Sequence, residues 1–85
     1  MIRIFTKPGC VQCNATKRTF ESLGFTENEI EMVDLTQDDA AMAEAEALGY
    51  RQVPVVFVGD MHWAGFQPGL ISKAVDALSG LAPAA

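Results

Sequence analysis

The chain has 85 residues, 49% of them hydrophobic and 20% charged, with a net charge of −5. That length holds one small globular domain, and the acidic balance argues against nucleic acid as the main partner, because phosphate binding needs a basic face. Only two cysteines are present, Cys10 and Cys13, which excludes a multi-disulfide secreted scaffold.

Arg3 interrupts the apolar start, and Lys7-Pro8-Gly9 follows too soon for a signal-peptide core. The longest apolar run, Val53 to Val58, contains a proline and is far shorter than the roughly 20 residues of a membrane helix. The expectation is a soluble, monomeric, cytoplasmic protein with reduced thiols and no membrane contact.

Ile2, Ile4 and Phe5 predict a short first strand, stopped by Lys7-Pro8-Gly9. From Cys10 to Leu23 the period becomes helical, with Cys13, Thr16, Phe20 and Leu23 on one face. Gly24 sits where a C-terminal cap belongs, with Phe25 placed to touch Phe20 across it. Glu29 to Leu35 reads as a second strand. Thr36-Gln37-Asp38-Asp39 resembles a capping box led by Thr36, opening an alanine-rich helix that ends at Gly49. Pro54 opens the β-branched run Val55 to Val58, and Gly59-Asp60 predicts a hairpin into Met61-His62-Trp63. Pro68 suits the first turn of a last helix, whose stripe is Ile71, Ala74, Val75 and Leu78. The fold class is therefore α/β, in the order βαβαββα: a four-stranded sheet with a parallel first crossover and three helices, placed on both faces. The domain spans residues 1–80, and 81–85 form a frayed tail. The strand order is left open.

Four readings compete for Cys10-Val11-Gln12-Cys13. Two buried thiols fit poorly, because the pair sits at a strand–helix junction and not within an apolar stripe. A structural disulfide is geometrically possible, but so short a loop adds little to stability beside the roughly 3 kcal/mol of a 15-residue loop. A closed zinc site wants four ligands, and His62 is the only other soft ligand. A copper(I) carrier remains as a minor reading. The fourth is thiol–disulfide exchange, which explains an asymmetry between the thiols. Cys10 lies at the helix tip, where unpaired N–H groups and the dipole favour a thiolate by ~0.3–1 kcal/mol, about 2 at best. Such a field moves a thiol from about 8.5 towards about 7. Lower intrinsic nucleophilicity offsets most of the gain, leaving about threefold in attack rate, so positioning and leaving ability matter more. Lys7 adds positive field or is simply a solvated turn residue. Cys13, a turn further in, is the quieter thiol.

Taken together, Thr6-Lys7-Pro8-Gly9-Cys10-Val11-Gln12-Cys13, Val53-Pro54 and Trp63-Ala64-Gly65-Phe66-Gln67-Pro68 resemble the glutaredoxin-like NrdH-redoxins along nearly the whole chain. The resemblance implies a thioredoxin fold with a mixed sheet. It implies Cys10 as attacking thiol and Cys13 as resolving thiol. It also implies a cis Pro54 facing the cysteines, with the Val53 backbone pairing an extended substrate. Lys7, Pro8, Val11, Gln12, Trp63, Gly65 and Phe66 fall in the partner-facing segments. Trp63 and Phe66 suit the core equally well. The implied function is electron transfer from thioredoxin reductase to the large subunit of class Ib ribonucleotide reductase. No cofactor is bound in this chain; NADPH and FAD enter only through the reductase.

Relatives of this kind typically read W-S-G-F-R-P, so Ala64 and Gln67 depart from the pattern. The hydrogen-bond network of that serine and arginine must be built differently here or be absent. The alternative function is a glutathione-dependent dithiol glutaredoxin, weakened by Pro68-Gly69 where glutathione users carry a Gly-Gly and an Asp. A metal-carrying or iron–sulfur-bridging C-x-x-C protein is the remaining alternative.

Overall fold

Ile2, Ile4 and Phe5 are fully buried on β1 (Ile2–Thr6) because that strand is covered on both faces. The structure, a computed structural model, describes residues 2–80. After β1 come α1 (Val11–Ser22), a single 3₁₀ turn (Glu27–Glu29), β2 (Ile30–Asp34) and α2 (Asp39–Ala47). Then follow β3 (Val55–Val58), β4 (Met61–Ala64) and α3 (Pro68–Gly80). The expected βαβαββα order is observed, and the sheet order is β2-β1-β3-β4. β1 runs parallel to β2 and antiparallel to β3, which pairs antiparallel with β4. The sheet is therefore mixed. The expected tail at 81–85 lies outside the described residues. Among the described residues, no helix is long and apolar enough to cross a membrane.

The period of two along the strands divides the core into two layers. Ile2, Ile4, Val56, Val58 and Trp63 meet Phe20 of α1 and Ile71 and Ala74 of α3 on one face. Phe5 and Val55 meet Ala41 and Ala45 of α2 on the other. Alanines suit α2 because its short side chains let the helix lie close to the sheet.

Several boundaries differ from those expected. The first helix is shorter by one residue at each end, with Cys10 as its N-cap and Leu23 as its C-cap. The C-terminal reversal is as expected: the Phe25 N–H donates to Phe20 O at 3.2 Å, and the two rings meet edge-on at 5.9 Å. The second strand begins at Ile30, because Glu29 turns back to accept from the Thr26 N–H at 2.8 Å. Thr36 does not cap α2. Its N–H and hydroxyl both donate to Asp34 Oδ1, at 2.8 and 2.6 Å. The cap is Asp38, which accepts from the Ala41 N–H at 2.9 Å. Asp38 wins because a nearby carboxylate already satisfies Thr36.

Candidate active site

The strand registers bring four loops to one end of the sheet. Phe5 pairs with Val55, Val55 with Ala64, and Thr6 with Asp34. The C-terminal ends of β1, β2 and β4 and the start of β3 therefore lie side by side. The 7–10 turn, the Val53-Pro54 segment, the 65–67 turn and the start of α2 all open at that end.

Lys7 to Cys10 form a tight turn, closed by the Cys10 N–H on Lys7 O at 3.3 Å. Pro8 and Gly9 hold its central positions, and Gly9 has φ +77°. That combination is what a type II turn demands, with proline first and a residue of positive φ second. The turn delivers Cys10 to the tip of α1 in extended backbone, φ −83° and ψ 103°.

Cys10 and Cys13 form a disulfide, with Cα atoms 5.2 Å apart. The two sulfurs have different surroundings. Cys10 is half-buried, and its Sγ accepts the Cys13 N–H at 3.0 Å. This is the helix-capping bond a serine or aspartate makes elsewhere, and it favours a negative sulfur. No acidic residue occupies the first turn of α1 to oppose that field. Cys13 is fully buried, and its Sγ lies 4.0 Å from the Phe5 carbonyl oxygen, positioned to take an S–H in the dithiol state. Thr16, also fully buried, donates its hydroxyl to Gln12 O at 2.8 Å and so ties the exposed Gln12 peptide to the first turn. Val11 is 74% exposed, the most exposed large apolar side chain among the described residues.

The Val53–Pro54 peptide bond is cis, and Pro54 is buried. Val53 is half-buried and precedes the first ladder pairs of β3, so its backbone stands outside the sheet pairing. The Pro54 carbonyl accepts the Gly65 N–H at 2.8 Å, joining this segment to the turn after β4. Gly65 has φ +88°, and a Cβ there would stand 3.4 Å from Gln52 Nε2. The backbone, at positive φ, is what calls for glycine; the space would admit a Cβ in ordinary contact with the Gln52 side chain. Gln67 donates its side-chain amide to Ala64 O at 2.7 Å. That bond is how this chain builds a local network without the serine and arginine of the expected pattern. Trp63 is buried at 4% exposure within the core, and Phe66 packs half-buried against the same cluster. The aromatics of this segment therefore brace it from beneath, and Trp63 offers no exposed patch.

A groove of about 540 Å³ runs from Lys7 and Val53 towards α2, lined by Met42, Glu46, Tyr50, Arg51 and Gln52 among others. The sequence reading found Lys7 and Val53 but missed the rest. Arg51 and Gln52 were within reach of it, since they directly precede Val53-Pro54. Glu46 and Met42 come from α2, and only the tertiary fold brings them here. His62, the other soft ligand of the sequence, points to the α2 side of the sheet, with Nδ1 2.6 Å from the Tyr50 hydroxyl. Among the described residues, no three His, Cys, Asp or Glu side chains converge as a metal site.

A Cys-x-x-Cys disulfide at a helix tip, carried on this mixed sheet, marks a thiol–disulfide oxidoreductase of thioredoxin-like fold. Comparisons with known proteins narrow the class. The Glutaredoxin family profile matches residues 2–63. The glutaredoxin-like protein NrdH of Salmonella typhimurium is 50% identical over 72 residues, 85% of each chain. The solved NrdH-redoxin of Escherichia coli superposes with a TM-score of 0.77 at 43% identity, covering 85% of this chain and 91% of the other. Buckwheat glutaredoxin, solved in complex with glutathione, gives a TM-score of 0.71 at 29% identity, covering 93% of this chain and 76% of its own. The chain belongs to the glutaredoxin family, among its glutaredoxin-like NrdH proteins.

Proposed function

We propose that this chain is a cytoplasmic, monomeric dithiol electron carrier, reduced by thioredoxin reductase and delivering electrons to the large subunit of class Ib ribonucleotide reductase. The observation that carries the chemistry is the unequal pair: a half-buried Cys10 sulfur that accepts a helix N–H, beside a fully buried Cys13. The partner assignment rests on the resemblance to NrdH-redoxins.

In the proposed cycle the Cys10 thiolate attacks a target disulfide. A Cys10–target S–S bond forms, the target S–S bond breaks, and the released thiolate takes up a proton. Cys13 then gives up its proton and attacks the Cys10 sulfur. The Cys10–Cys13 bond forms, and the second target sulfur leaves as a thiol. Two electrons and two protons have passed to the target, and the reductase, with its own FAD and NADPH, restores the dithiol. The Cys13 N–H stabilises a negative Cys10 sulfur and so favours the thiolate that opens the cycle. Lys7, Pro8, Val11, Gln12 and Gly65 would border the docked partner, supported by Trp63 and Phe66. The Val53 backbone, outside the ladders, would pair an extended target segment as an added strand.

One observation favours a second reading. The groove beside the site, with Lys7, Arg51 and Gln52, has the size for a small thiol peptide, and the buckwheat relative was solved with glutathione. Disulfide reduction measured with NADPH and thioredoxin reductase, against NADPH, glutathione and glutathione reductase, separates the two. The proposal expects turnover in the first system. Turnover in the glutathione system alone would replace it with the second reading.

A further inference from the structure

Gln67 directly precedes α3, and its carbonyl accepts the Ile71 N–H at 3.0 Å, so its backbone acts as the helix cap. A Ser, Thr, Asp or Asn at such a position turns its side chain forward and accepts an N–H of the first helical turn. This one turns backward and donates to Ala64 O at 2.7 Å. It therefore serves the turn and not the helix.

The bond has a specific consequence. The Ala64 carbonyl and the Gly65 N–H are the two ends of one peptide group. That group is planar, so fixing one end fixes the direction of the other. The other end donates to the Pro54 carbonyl at 2.8 Å. A hydrogen bond at the carbonyl also polarises the peptide and strengthens its N–H as a donor. A continuous line runs from the Gln67 amide through the 64–65 peptide to the backbone next to Val53. Gln67 is itself exposed, and no hydrogen bond joins it to the disulfide sulfurs among the described residues.

We propose that Gln67 is a positioning residue for target binding: it orients the 64–65 peptide, which holds the Pro54 carbonyl and so presents the Val53 backbone to an extended target. The inference rests on the strand-pairing reading given under Proposed function. A target that pairs with Val53 needs that backbone held still, whereas a small disulfide that only meets Cys10 does not.

The test uses the pre-reduced full chain in single turnovers, so no reductase is required. The oxidation rate is followed against the concentration of a short extended peptide disulfide, and separately against hydroxyethyl disulfide. Gln67→Met removes the donor at nearly constant size, and Gln67→Arg supplies a donor of similar reach. Losing one hydrogen bond should raise the half-saturating peptide concentration about fivefold in Gln67→Met. Its maximal rate and its rate with hydroxyethyl disulfide should stay at wild-type values, and Gln67→Arg should bind the peptide as the wild type does. An unchanged half-saturation in Gln67→Met, or equal slowing with both disulfides, would overturn the role of Gln67. A wild-type chain with no preference for the peptide over hydroxyethyl disulfide would instead strike the strand-pairing reading itself.

Discussion

At the scale of single residues, burial and one hydrogen bond separate two chemically identical thiols. Cys10 keeps solvent contact and an N–H donor, and Cys13 has neither. With the pair reduced, iodoacetamide at neutral pH should therefore modify Cys10 well before Cys13, as peptide mass spectrometry can record. Comparable labelling of both would mean that the asymmetry vanishes on reduction. Gly65 is a second single-residue test. Its φ of +88° leads us to expect Gly65→Ala to destabilise the fold by about 1–2 kcal/mol. A denaturant midpoint measures this. The sequence made the thiol asymmetry legible, because a helix begins at Cys10 and its apolar stripe includes Cys13. It did not reveal the Gly65–Pro54 bond, which joins residues far apart in the chain and leaves no periodic trace.

At the scale of elements, competition between neighbouring polar groups decided where the sequence misled. Thr36 and Asp38 both suit a helix cap, but Asp34 takes both donors of Thr36. Asp38→Ala should cost about 1 kcal/mol in stability, and Thr36→Ala should leave the α2 cap bond in place. Paired urea melts compare them. The same competition shortened β2. The Thr26 backbone N–H, and next its hydroxyl, hold the Glu29 carboxyl below its ordinary range. A carboxyl lowered on folding stabilises the protein above its unfolded pKa, and that contribution is lost as pH falls through the folded value. Glu29→Gln should therefore flatten the loss of stability as pH falls below the ordinary carboxylate range, seen as a smaller shift of the urea midpoint between neutral and acid pH. The effect will be modest because the group is exposed. The helices, strands and hairpin themselves were readable, since proline, glycine and apolar period mark each one.

At the scale of the whole molecule, the sheet gathers the site. Registers of β1 with β2 and β3, and of β3 with β4, place the cysteine turn, Val53-Pro54 and Gly65 at one end. The sequence supplied the motifs but not the strand order, because the residues of a strand do not name the neighbours it pairs with. For the same reason the groove towards α2 was invisible, being shaped by residues on separate elements. A net charge of −5 does not set the field at Cys10; the local helix end does. In the proposed cycle Cys10 attacks and Cys13 resolves. Its most direct test is mass spectrometry of the reduced Cys13→Ser and Cys10→Ser chains after mixing with a peptide disulfide. A stable covalent adduct on Cys10 is expected in Cys13→Ser and none in Cys10→Ser. Equal adducts in both, or an adduct in Cys10→Ser alone, would contradict it.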